Sequence, residues 1–135
     1  MIEPALVEKI RTLAAIIAIP GLPDRIYPVK APQDSPFPCV VYERVSGARV
    51  HSHQGASGLA SPRIEVRSWG KTYADAKSVS EAIRAGIDGF SGNVTVRGVV
   101  YDVNSILLAD ERDLYDEELK VFGVSVDYTI WHAEA

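Results

Sequence analysis

Cysteine is almost absent from this chain: Cys39 stands alone among 135 residues. A disulfide framework within the chain is therefore excluded, and the composition suits a reducing compartment. No apolar run approaches the roughly 18 residues that a membrane-spanning helix needs. A basic excess is missing as well. The net charge of −4 argues against a chain whose main task is to hold phosphate backbones, and against an anionic membrane surface as partner. The opening MIEPALVEKI carries Glu3 early and has no basic stretch before an apolar run, so no secretory signal is expected. A phosphate-cradling glycine loop is also lacking, because GFSGNV has neither the lysine nor the hydroxyl at the needed offsets.

What is present is enough apolar material for a core, 47% of the residues. At this length roughly two-thirds of the unfolded surface can be buried. One folded domain, 1–135, is the expectation.

Two stretches have helical period. In 4–19, Leu6, Val7, Ile10, Leu13, Ala14 and Ile17 fall on one stripe, with Glu8 and Arg11 off it, and PGLP at 20–23 stops the run. The polar face is not basic, so a core-facing helix explains the stripe better than a membrane-surface one. In 71–90, Tyr73, Ala76, Val79, Ile83, Ile87 and Phe90 form a second stripe behind a capping signal, Thr72 followed by Asp75. Lys77, Glu81, Arg84 and Asp88 share a solvated flank.

The rest alternates. RIYPV (25–29) is at most an edge strand because of Pro28, and KAPQDSPFP (30–38) is a loop. CVVYERVSG (39–47) is a strand. RIEVRSW (63–69) is another, with Arg63, Glu65, Arg67 and Trp69 on one face and Ile64 and Val66 on the other. Residues 94–111 read as two strands around a tight turn at Arg97-Gly98. In 121–132, Phe122, Val124, Val126, Tyr128 and Ile130 face one side and Gly123, Ser125, Asp127, Thr129 and Trp131 the other. Residues 48–61 are small, polar and without period, so a long mobile loop is expected there. The charged stretch 110–118 is expected as a hairpin tip. The order predicts an α+β two-layer sandwich, with two helices packed on one face of a mostly antiparallel β-sheet. The other face, polar but carrying tryptophan, is either wet or covered by a partner.

Candidate chemistry is sparse. His51 and His53 have a spacing that suits a metal only on a strand, and no third ligand lies nearby. Cys39 follows Pro38 at the start of an apolar strand, where a small buried side chain is the better reading than a nucleophile. The acids of 110–118 could serve a metal-dependent enzyme, but no glycine supplies the bend of a calcium loop and Leu114 interrupts the set. No metal site, no cofactor and no catalytic residue is expected. A small cytosolic binding module using Trp69 and Trp131 remains an alternative.

Three stretches taken in order carry a resemblance: RIYPVKAPQDSPFPCVVYERVSG (25–47), IEVRSWGKTYADAKSVSEAIRAGIDGF (64–90) and LLADERDLYDEELKVFGVSVDYTIW (107–131). Together they resemble the tail completion, or tail-to-head joining, proteins of long-tailed bacteriophages and prophages. The resemblance implies a virion structural protein rather than an enzyme. It implies a homo-oligomeric ring, six-fold, at the head-proximal end of the tail tube. The implied partners are further copies of the chain, the tail tube protein and a head-side connector, with genome DNA passing through the ring. The implied location is the virion neck, and the host cytoplasm before assembly. A closed ring needs a heterologous interface, and projecting segments of a rigid sandwich suit it. The expected contact residues are Arg49, His51, His53 and Gln54 in the first projection, and Glu111, Arg112, Asp113, Leu114 and Tyr115 in the second.

Overall fold

The computed structural model of the chain describes residues 2–52 and 55–133, with side chains described outside 47–59. Its first helix is α1, Glu3–Arg11, followed by a single turn α2, Ala14–Ile17, and a 3-10 turn, Leu22–Asp24. A three-residue strand β1, Ile26–Pro28, precedes the long strands β2, Cys39–Ser52, and β3, Gly55–Gly70. Helix α3, Tyr73–Ile87, leads to β4, Gly92–Val96, β5, Val99–Asp116, and β6, Val121–Ala133. Among the described residues no helix is long and apolar enough to cross a membrane.

The six strands form one sheet in the order β1-β2-β3-β6-β5-β4. Only β1 runs parallel to its neighbour; every other pairing is antiparallel. The helices lie on one face, so the architecture is the α+β sandwich that the alternation predicts. Period-2 burial sets the core face: Ile64, Val66, Val124, Val126, Tyr128 and Ile130 are buried there against Ala76, Val79, Ile83 and Ile87 of α3. The N-cap of α3 is Thr72, whose hydroxyl accepts from the Asp75 N–H, as the capping signal requires.

Three expectations change. The first helical stretch is not continuous over 4–19. Thr12 turns its hydroxyl onto the Glu8 and Lys9 carbonyls, and Leu13 is extended at φ −65° and ψ 134°. The break shifts the phase, so Ile16 is buried while Ile17, placed on the stripe by period, is 58% exposed. In 48–61, expected as a loop, the backbone continues the β2–β3 ladder: Ala48 pairs with Ser61 and Ser52 with Gly55. Backbone pairing propagates there without any side-chain pattern to announce it. Finally, 110–116 is not a tip. It is the last third of β5, in register with β6 from Asp110↔Asp127 to Asp116↔Val121. The turn itself is 117–120, where Lys120 takes a left-handed φ of 55°.

Candidate functional site, the helix-free face of the sheet

The face opposite the helices is the one large surface that the fold leaves without a second layer among the described residues. Its central feature follows from register. Glu43 on β2 lies opposite Glu65 on β3, Glu65 opposite Asp127 on β6, and Asp127 opposite Asp110 on β5. Four carboxylates thus form a row across four strands. Like charges directly opposite one another destabilise a sheet, so the row needs cations.

Three arginines supply them. Arg112 Nη2 donates to Glu65 Oε2, which also accepts from the Ser125 hydroxyl at 2.6 Å. Arg63 holds Asp127 Oδ2 through Nε at 3.0 Å and Nη2 at 2.9 Å. Arg67 Nη2 lies 3.4 Å from Glu43 Oε1, and its Nε 3.5 Å from Glu65 Oε1. Arg112 Nη1 stands 3.7 Å from Asp110 and 3.9 Å from Asp127. Glu65 and Asp127 are only 7% and 6% exposed, so these ion pairs are partly desolvated and hold the four strands in one register. The network is incompletely satisfied: Arg67 Nε and Asp127 Oδ1 are buried without a hydrogen-bond partner.

At one end of this face the segment 29–37 comes over the sheet, tied down by Arg67 Nη2 donating to the Val29 carbonyl at 3.0 Å. Between that segment and the β5–β6 turn lies an open groove of about 440 Å³. Val41 and Trp69 line its apolar floor, and Lys30, Asp116, Glu118 and Leu119 stand along it. Cys39 also lines it, fully buried; burial pushes its thiol up, the state of an inert side chain rather than a nucleophile.

The expected contact residues divide between the two faces. Alternation along β5 sends Arg112 and Leu114 to the helix-free side, opposite Ser125 and Gly123, but Glu111, Asp113 and Tyr115 to the helix side, opposite Val126, Val124 and Phe122. Glu111 binds Lys77 Nζ at 2.8 Å, and this bond raises the pKa of Lys77. Asp113 accepts from the Tyr73 hydroxyl at 3.3 Å. Tyr115 packs on Phe122 with ring centroids 5.0 Å apart. Half of the charged stretch therefore fastens β5 to α3 rather than facing outward. Arg49 and His51 sit on β2, but their side chains, and His53 and Gln54 altogether, lie outside the described residues. The acids do not converge as a metal-dependent enzyme would need, and among the described residues no three His, Cys, Asp or Glu side chains are placed to hold a metal ion.

Sequence reasoning placed Arg63, Glu65, Arg67 and Asp127 on one face but did not join Asp110 and Arg112 to them. The signal was the Arg-x-Glu-x-Arg alternation of 63–67 set against a second charged strand. It also missed the groove, because only the fold brings 29–37 beside 116–121.

The described chain is a small α+β domain with one sheet face covered by helices and the other open and ion-paired. Residues 4–133 match the family model of "Tail completion protein gp17", and the chain belongs to that family. It is a structural protein of a phage-type tail, and the family is not a known class of enzyme. No curated protein matches the chain. Among solved structures it is similar to a chain from "Virion of native gene transfer agent (GTA) particle", with a TM-score of 0.69 and 15% identity, covering 96% of this chain and 92% of that one. At that identity the likeness establishes the fold.

Proposed function

We propose that the chain forms a closed ring, six-fold, at the head-proximal end of the tail tube, where it ends tube growth and offers a docking surface to a head-side connector. The observation that carries this reading is the tail completion match across residues 4–133. The fold supports it physically. A stiff sheet whose two long hairpins turn at opposite ends can hold different neighbours at each end. In this reading the contact residues are Arg49 and His51 on β2, His53 and Gln54, which lie outside the described residues, and Arg112, Leu114 and Tyr115 on the β5–β6 hairpin. Glu111 and Asp113 act at one remove, by fixing β5 on α3. A net negative subunit also suits a ring through which DNA passes, since acids repel phosphate. The protein then resides in the virion neck, and in the host cytoplasm before assembly.

Imaging of assembled particles tests the reading: a ring of this chain at the head end of the tail is expected, and a neck without it overturns the proposal. Mass measurement of the purified chain over a concentration series reports whether rings form before contact with the tail. Alanine at Arg112 and Tyr115 is a poor probe, because Arg112 also binds Glu65 and Tyr115 also packs on Phe122, so a loss of joining would not separate outer contacts from inner ones. Glu117→Lys with Glu118→Lys is cleaner, since both are exposed turn residues. Folding should be kept and tail joining lost.

The groove beside Trp69 favours a second reading, a binding module for a small apolar ligand. A monomer whose Tm rises with such a ligand supports it, and an indifferent Tm removes it.

A further inference from the structure

Both outer borders of the central four strands are open. β1 pairs with β2 only at Val40, Val41 and Tyr42, and the Val29 N–H donates to the Tyr42 carbonyl. Beyond Tyr42, no strand pairs with the outer border of β2 among the described residues, so Glu43–Ser52 is an unpaired edge. On the other side, β4 covers β5 from Val99 to Val103. Gly89 and Phe90 pair with Ile106, and the Leu108 N–H donates to Asp88. Past Leu108, no strand pairs with the outer border of β5 among the described residues, so Asp110–Asp116 is a second edge open on that side.

Open edges are normally protected by charge, by bulges or by brevity. Bulges are present here, at Val45 on β2 and at Ala109 on β5, each being the residue that the register skips. The charges, however, do not protect. Repulsion between copies requires edges of like sign. Here Glu43–Ser52 holds one acid against two arginines, Arg44 and Arg49, while Asp110–Asp116 holds four acids against one arginine. The edges attract each other. Each also exposes an apolar residue, Val45 at 48% and Tyr115 at 51%. Direction fits as well. Three antiparallel pairings separate β2 from β5, so the two run in opposite senses. A rotation about an axis along the strands preserves those senses, and the β5 edge of one copy then meets the β2 edge of the next in antiparallel orientation. Seven residues of ladder would span roughly 20 Å.

We infer that copies of this chain join by strand addition, the acidic β5 edge of one pairing with the basic β2 edge of its neighbour. This rests on the reading that copies assemble on the tail, and names the surfaces through which they do so. Main-chain hydrogen bonds then supply the contact and the charges set register and partner.

Hydrogen exchange read by mass spectrometry tests it, comparing the isolated chain with the chain in purified tails whose rings are counted by imaging. Amides within 43–52 and 110–116 should both slow by about tenfold or more on assembly. Rings with neither edge slowed overturn the inference and leave the ring standing. Rings with only one edge slowed overturn it too, since the partner is then a different protein. Tails without rings of this chain overturn both.

Discussion

The Trp69 indole lies directly over Gly123. A Cβ added at Gly123 would sit 2.7 Å from Cε3 and 2.8 Å from Cζ3 of that ring. The two residues are register partners on β3 and β6, so the ring covers the one position of β6 that has no side chain. Gly123→Ala should cost about 1–3 kcal/mol, the usual penalty of overfilling a packed site. Thermal unfolding checks the size, and Trp69→Leu in the same chain should recover part of it. A Gly123→Ala variant as stable as the parent would show that the indole moves aside freely.

The ion-pair network predicts an order of costs. Glu65 is buried and receives both Arg112 and Ser125, so Glu65→Ala leaves two donors without an acceptor and should lose about 1–3 kcal/mol. Arg112 is 45% exposed at its side chain, and Arg112→Ala should lose about 1 kcal/mol or less, with solvent taking its place. Urea unfolding of the two variants distinguishes them. Equal losses would mean that burial of Glu65 does not govern the pair.

Tyr128 makes the opposite prediction. Its hydroxyl is buried on the core face without a partner, and burial pushes its pKa far up. Tyr128→Phe removes an unsatisfied group and keeps the ring, so stability should hold or rise by up to about 1 kcal/mol. A clear loss on denaturant titration would mean that the hydroxyl is bonded in solution.

Acid should weaken the tie between α1 and the sheet. Arg44 Nη2 binds Glu3 Oε1 at 2.7 Å. Burial raises the Glu3 carboxyl, but the Arg44 hydrogen bond and charge, with backbone hydrogen bonds, outweigh it and leave the pKa below the ordinary 4.5. A depressed carboxylate contributes stability above its unfolded pKa, and that contribution disappears as pH falls through the folded value. The stability gap between the parent and Arg44→Ala should therefore be widest above pH 4.5 and close below it. Unfolding midpoints measured down the acid range test this; a gap that stays constant rules it out.

Strand faces and the cap of α3 were legible because each depends on local spacing. Ile64 and Val66, or Val124 to Ile130, reveal their side by period alone. The kink at Thr12 was not legible, because helical period runs straight through it and only the hydroxyl's turn onto Glu8 and Lys9 breaks it. The β5–β6 turn was hidden for a related reason: 117–120 contains no glycine, proline or asparagine, and Lys120 takes the left-handed conformation instead. The face network needed register. Glu43, Glu65, Asp127 and Asp110 are far apart in sequence, and nothing local says that they share a row.

That row depends on a single count. Ala109 is the residue that the β5–β6 register skips, between Leu108↔Tyr128 and Asp110↔Asp127. Drawing Ala109 into the ladder opposite Asp127, instead of skipping it, would slide 110–116 by one place and turn every side chain to the reverse surface. Arg112 would be presented to α3, while Glu111 and Asp113 would be driven against Glu65 and Asp127. One alanine thus acts as the parity bit of the molecule, deciding which half of an acidic stretch speaks to the subunit's own helix and which half to the outside.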